Sequence, residues 1–468
     1  MDQQFHTERF GIVPSPSPSI YSVEPAPDRY STPLETHNAE TIKPSPARHP
    51  LAQADSGSST PSAAGSSSAL QEHGQRPTQR YFRSRRIKKD EIEHPWLNAK
   101  KDPREKWVTI IPLIGLAIGL AIAGFLVYDG LRTIVNHEYK LVLDEDWSGG
   151  FRTDIWHKEV TVGGFGNGEF EQTTKTEENV YVQDGKLHIK PTLQDPSLIT
   201  NNNNLSLGPD CTGTSFFECN AVTNVTNGTI VPPVKSGRIN TNGTRSIKYG
   251  RVEVTATLPQ GDWLWPAIWL LPVNSSYGPW PKSGEIDIME SRGNNYTYAQ
   301  GGNNIMSSAL HWGPNEANDN WWQTNVKRNA LHTTFSKKEH TFGMEWSEKY
   351  LFTYIDTRLL QVLYTPFSVP FWQRGDFPLS DSNGTTITDP WTNAGVAAPF
   401  DQEFFLILNV AVGGTNGWFE DGKSGKPWVD KSLTAKKDFW DARDQWYPTW
   451  KDHGEMVVSR VRMWQQVG

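Results

Sequence analysis

Residues 284–294 read GEIDIMESRGN, which places Glu285, Asp287 and Glu290 within six positions, with Ile286, Ile288 and Met289 between them. In an extended chain successive side chains point to opposite faces, so Glu285 and Asp287 share one face while Ile286 and Ile288 take the other. The alternation predicts a β-strand with one acidic face and one apolar face. Glu290 breaks the period, because five positions after Glu285 it falls on the apolar face of a regular strand. One inserted residue near Ile288–Met289, a β-bulge, returns it to the acidic face, and bulges often re-aim side chains beside active sites.

The neighbouring sequence supports a sheet protein. From about Leu141 onward, short runs rich in Val, Ile, Thr and aromatics alternate with Gly, Asn, Asp and Pro turns: KLVLDEDW, ENVYVQDGKLHIKP, YGRVEVTATLP, KYLFTYIDTRLLQVLY, EFFLILNVAV and EMVVSRVRMWQQ. Many short strands within 141–468 predict an all-β sandwich or barrel. VQDG (182–185) has the chemistry of a tight hairpin turn, since Asp-Gly favours positive φ. AKKDFWDARDQW is the best helix candidate, and no internal repeat points to a propeller. Eighteen of the 20 tryptophans lie beyond Tyr128, and GDWLWPAIWLLP (261–272) holds Trp263, Trp265 and Trp269. On alternate strand positions Trp263 and Trp265 would present rings on one face. Many of the eighteen are expected in the core, whereas Trp265 and Trp269 are expected in a cleft, where aromatic rings suit the C–H faces of sugars.

With the bulge, Glu285 and Glu290 stand about four strand steps apart, roughly 13 Å at ~3.3 Å per step. Long side chains leaning inward on a concave sheet could narrow this to the ~5–5.5 Å of a retaining glycosidase. In that chemistry one carboxylate attacks the anomeric carbon while the other, protonated, donates to the leaving oxygen. Neighbouring acids whose environments push their pKa values apart meet that need. Asp287 between them can hydrogen-bond one neighbour. Two other readings stay open on the residues alone: a solvated acidic strand face, and a calcium site, although calcium loops favour turns and carbonyls over a strand.

The domain resembles glycoside hydrolase family 16, in particular its laminarinase-like members and their β-1,3-glucan-recognition relatives. The resemblance is carried by GGFGNGEFE (163–171), VQDGKLHIKPTL (182–193), SGRINTNG (236–243), KYGRVEVTATLPQGDWLWPAIWLLP (248–272), GEIDIMESRGN (284–294), ALHWGP (309–314), HTFGMEWS (340–347) and FFLILNVAVGGTNGWF (404–419). It implies a jelly-roll β-sandwich with a concave glucan cleft, Glu285 as nucleophile, Glu290 as acid/base and Asp287 assisting. It also implies sugar contacts from Asn167, Trp265, Trp269, Arg292 and His311. Many members use an Asp of the last strand for a structural calcium; the matching position here is Ser459, so no metal site is expected, and the chemistry requires no cofactor.

The N-terminal third reads differently. Residues 1–79 are rich in Ser and Pro and poor in branched apolar residues, a composition expected to stay disordered. Ten Lys or Arg residues fall between Arg80 and Lys106, followed by the uncharged run WVTIIPLIGLAIGLAIAGFLVY, Trp107 to Tyr128. A basic run alone fits nucleic acid or a membrane surface. The adjoining 22 apolar residues decide for membrane lipid, since ~20 suffice to span a bilayer core. No nucleic-acid partner is expected. Only Arg132 and Lys140 follow within twenty residues, so the positive-inside rule keeps the N-terminus cytoplasmic. The expected order is a tail (1–79), a basic segment (80–106), a signal-anchor helix (107–128), a stem (129–140) and the catalytic domain (141–468). The net charge of −7 conceals this split.

Glycosylation acceptors at Asn204, Asn224, Asn227, Asn242, Asn274, Asn295 and Asn383 all follow the apolar run, as do Cys211 and Cys219. This suits a type II protein with its domain lumenal or extracellular, where the two cysteines are expected to pair; two unpaired thiols are the alternative. The leading expectation is a membrane-anchored retaining endo-β-glucanase acting on β-1,3-linked glucan. Two alternatives remain: a transglycosylase, resembling family members that remodel fungal cell-wall glucan from a type II anchor, and a glucan-binding lectin without turnover.

Overall fold

The computed structural model describes residues 84–88, 91, 93–97, 99–133 and 137–468. The tail expected over 1–79 lies outside the described residues, as do 80–83, 89–90, 92 and 98 of the basic segment. Of the part before Pro103, the described residues include one turn of 3-10 helix, Pro95–Leu97, and an exposed pair of Arg85 with Glu91 at 3.3 Å.

A 29-residue helix, Glu105–Thr133, carries the apolar run. Over Glu105–Gly130 its mean hydropathy is 2.6 with none of its apolar window buried, and among the described residues it is the one helix long and apolar enough to cross a membrane. The helix outruns the expected 107–128 span at both ends, because backbone hydrogen bonding rather than apolarity sets where a helix stops. The stem expected over 129–140 is therefore helical to Thr133, and a strand, Tyr139–Glu145, has already begun at its far end.

Beyond the helix the chain forms a β-sandwich of two eight-stranded sheets. One sheet runs Gln361–Pro366, Tyr350–Ile355, His340–Trp346, Gly250–Thr257, Met456–Gln466, Lys186–Ile189, Val180–Gln183, with Tyr139–Glu145 also paired to Met456–Gln466. The other runs Asn325–Asn329, Ile305–His311, Glu285–Ser291, Leu264–Pro272, Phe404–Val412, Arg238–Asn240, His157–Lys158, with Ser246–Ile247 also on Phe404–Val412. Both sheets end in edge strands, so the sandwich is not a closed barrel.

Between the sheets Val252, Val254, Met344 and Trp346 meet Ile268, Leu270, Ile286, Leu310, Leu406 and Leu408 in one buried cluster. Each such side chain contributes about 1.5–3 kcal/mol on burial. The alternate residues of the second sheet, among them Asn409, Trp269, Asp287, Glu285 and His311, are thereby left for its outer face.

Local sequence chemistry accounts for several joins. The VQDG hairpin turns at Asp184 (φ 53°) and Gly185 (φ 67°), with Gln183 paired to Lys186; paired positive φ values match the right-handed strand twist. AKKDFWDARDQW forms two short helices, Ala435–Asp441 and Arg443–Trp446, broken at Ala442. Cys211 and Cys219 are joined as a disulfide. Six of the seven acceptor asparagines are exposed; Asn224 is half-buried, its side-chain oxygen accepting from the Thr226 N–H at 3.0 Å.

Candidate functional site

The acidic strand, Glu285–Ser291, lies between Leu264–Pro272 and Ile305–His311. Against the first neighbour, Trp269 pairs with Asp287 and Ile268 with Met289, skipping Ile288; against the second, Asp287 pairs with Ala309 and Glu290 with Ser307. The extra residue sits at the predicted Ile288–Met289, and both isoleucines and Met289 are buried in the core. The bulge leaves Glu285, Asp287 and Glu290 all on the outer face.

Each acid is held by a neighbour. Trp280 Nε1 donates to Glu285 Oε2 at 2.6 Å and Trp265 Nε1 to Glu290 Oε1 at 2.9 Å. His311, opposite Glu285 in register, sets Nε2 3.2 Å from Asp287 Oδ2, while its Nδ1 bonds Asp319 Oδ2 at 2.5 Å. Burial and the Asp287 charge push Glu285 up to about 8, opposed by His311 and the Trp280 N–H. Burial and the Glu290 charge raise Asp287 to about 6, opposed by its hydrogen bond to His311. Burial also lifts Glu290 to about 7, opposed by His311 and Trp265. Burial alone would lower His311, but the Glu285 charge and the bonds to Asp287 and Asp319 hold it well above its ordinary value. These contacts favour the charged form of the ring among the three acids.

Ligand atoms of Glu285, Asp287 and His311 lie within 4.8 Å of one another, a spacing that could hold a metal ion. Both His311 nitrogens face carboxylates, Nε2 toward Asp287 and Nδ1 toward Asp319. The Ser459 hydroxyl donates to the Thr255 carbonyl at 3.3 Å.

On the Leu264–Pro272 side, Trp265 stacks on Trp418 with ring centres 4.7 Å apart and planes 11° apart. Trp269 Nε1 donates to Asn409 Oδ1 at 2.8 Å, and the Arg238 guanidinium lies 4.7 Å from the Trp269 ring centre. Arg292 is buried; its Nε and one terminal nitrogen donate to the Trp418 carbonyl at 3.1 and 2.6 Å, with the guanidinium 4.0 Å over the Trp418 ring. It braces this wall from below. Asn167 donates to Glu169 Oε1 at 2.9 Å and accepts from Asn416 Nδ2 at 3.0 Å, linking the GGFGNGEFE turn to the loop that carries Trp418.

Trp263 departs from the expectation that it shares a face with Trp265. Its φ of 68° places it before the strand and outside the alternation, and its ring packs in the core against Tyr298, Phe419 and Trp428. Trp280, Asp319, Asn409, Trp418 and Arg238 were not anticipated as site residues. Asn409 and Trp418 lie within FFLILNVAVGGTNGWF, and Arg238 within SGRINTNG, so the motifs held a signal; Trp280 and Asp319 stand in loops without periodicity.

Residues 169–383 match the sequence profile described as Glycosyl hydrolases family 16. A Beta-1,3-glucan-binding protein of Penaeus monodon is 40% identical over 328 residues, covering 67% of this chain and 87% of that protein. Glucan endo-1,3-beta-glucosidase A1 of Niallia circulans is 31% identical over 266 residues, 56% of this chain and 30% of that protein. The laminarinase catalytic domain of Thermotoga maritima MSB8 superimposes with a TM-score of 0.45 at 22% identity, over 71% of this chain and all of that one. The chain belongs to glycosyl hydrolases family 16.

Proposed function

We propose that the protein is a membrane-anchored retaining endo-β-glucanase that cleaves β-1,3-linked glucan through a glycosyl-enzyme intermediate. The observation that carries this reading is the set of three acids on one bulged strand, with an indole N–H on each outer glutamate. Glu285 attacks the anomeric carbon while Glu290 protonates the leaving oxygen; Glu290 then takes a proton from the water that releases the sugar. Glu290, raised to about 7, retains its proton in mildly acid solution. After burial, the main force raising Glu285 is the Asp287 charge. A proton resting on Asp287 removes that repulsion, and the Trp280 N–H and the imidazolium then favour the Glu285 anion. The charge on Asp287, itself drawn on by His311, thus sets how readily Glu285 ionises.

The test is release of reducing ends from laminarin. Glu285→Gln and Glu290→Gln should each lower kcat by at least about a hundredfold, within the scale of lost acid–base catalysis, with laminarin binding kept. Unchanged turnover in either variant overturns the assignment. A second reading, glucan binding without turnover, is favoured by the name of the 40%-identical relative; a wild-type protein that binds laminarin and never cleaves it establishes that reading instead. Product chains longer than the substrate would mark transglycosylation by the same carboxylates.

A further inference from the structure

The loop after Phe404–Val412 carries Trp418 and Phe419, whose successive carbonyls are each held by a buried cation. Arg292 takes the first. Lys426 Nζ donates to the second at 2.8 Å. The Lys426 side chain is wholly buried, a place where an ammonium is rare unless partners surround it. Its other two N–H bonds go to carboxylates, Asp421 Oδ1 at 2.6 Å and Asp430 Oδ1, so all three donors are used. Nζ also lies 4.7 Å from the centre of the Trp428 ring, whose Nε1 donates to the Gly414 carbonyl at 2.8 Å.

The loop is thus wound round a single ammonium. An apolar side chain could fill that space without the cost of desolvating a charge, but it would fix no acceptor in direction. The gain lies at Phe419, which is pinned twice. Its ring packs inward against Trp263 and Trp428, with centres 5.4 and 6.0 Å apart, while its carbonyl is held by Lys426. With Phe419 fixed, its neighbour Trp418 is turned the other way, onto the Trp265 ring. Trp265 in turn donates to Glu290 Oε1.

We infer that Lys426 is a positioning residue for the acid/base step. By fixing the Phe419 carbonyl it holds the Trp418 ring against Trp265, and so keeps the Trp265 N–H on one oxygen of Glu290 while the other faces the leaving group. The inference rests on the glucanase reading for the role of Glu290. Lys426 acts through two stacked rings, and its loss misaims the proton donor.

Phenyl and 2,4-dinitrophenyl β-laminaritrioside test this. They carry the same sugar but differ in how far the departing oxygen depends on a proton, and kcat/KM follows the enzyme through that departure. Lys426→Met should lower kcat/KM about tenfold on the phenyl glycoside and less than about twofold on the dinitrophenyl one, a part of the ~10²–10⁴ that a proton donor contributes. Trp418→Ala should skew the ratio of the two rates in the same sense. Adding Lys426→Met to it should skew the ratio no further, because both changes act on one path. An equal loss on the two substrates, or full additivity in the double variant, is the mark of general destabilisation and overturns the inference.

Asp421→Ala removes one partner of the ammonium at a side chain 43% exposed, and should give the same skew in smaller measure. The parent's ratio in that protein overturns the inference even where Lys426→Met fails to fold. A parent that cleaves neither glycoside overturns the glucanase reading instead. The relay through the rings is then decided by fluorine NMR of protein labelled with 5-fluorotryptophan, the Trp265 signal being assigned with Trp265→Phe. That signal should move in Asp421→Ala, and a signal that stays in place overturns the relay.

Discussion

Glu285 carries its raised pKa as a cost to the fold. An unfolded glutamate titrates near ~4.3, whereas burial and the Asp287 charge push Glu285 up to about 8. Between those two values the folded state holds a proton that the unfolded state releases, so stability falls as pH rises through the window. Glu285→Gln has no proton to lose and should gain Tm over the parent, with a larger gain at pH 8 than at pH 5. Calorimetry at the two pH values checks this; an equal gain at both, or a deficit growing with pH, contradicts the account. The carboxyls themselves could be read from EIDIME. Of the residues that hold them, Trp265 and His311 were legible in their motifs, but Trp280 and Asp319 were not, because both reach the site from loops whose residue types also serve in ordinary turns.

At the level of the strand, the bulge decides which face Glu290 takes. Deleting Met289 yields a regular strand in which Glu290 falls an even number of steps from Glu285, on the same face, with the pairing beyond it unchanged. The deletion protein should fold and still bind laminarin. Inserting one alanine after Met289 turns Glu290 into the core, where an unpaired carboxylate is costly, and should abolish soluble expression. If the deletion is as damaging as the insertion, the bulge does not control the facing. The irregularity was legible because period-2 alternation fails at a single step. Trp263 was misread for a related reason: alternation assumes extended backbone, and its φ of 68° leaves that region unannounced by residue type. Strand existence was likewise written in short Val/Ile/Thr runs, but sheet order was not. Leu264–Pro272 pairs with Phe404–Val412, a partner far along the chain that local pattern does not identify.

For the molecule as a whole, the apolar helix and the acceptor asparagines make one joint statement. If the helix spans the bilayer with the basic segment in the cytosol, all seven acceptors face the glycosylating side. Protein made in a secretory-competent cell should sediment with carbonate-washed membranes and gain mobility on deglycosylation, while a variant lacking 107–128 should leave the membrane pellet. An unglycosylated protein in the membrane fraction argues for the reverse orientation. The proposed organisation rests on charge and hydropathy, each of which depends on composition over a long window, not on tertiary pairing.

The helix ends at Thr133 and the first strand starts at Tyr139. Six residue steps reach at most about 20 Å even when fully stretched. On the proposed topology the sandwich is therefore leashed within a few nanometres of the lipid and searches a thin shell instead of a volume. Polymer that passes close to the bilayer is within its grasp; glucan deeper in a matrix is beyond it, so where the substrate lies relative to the membrane governs its fate as much as its linkage does.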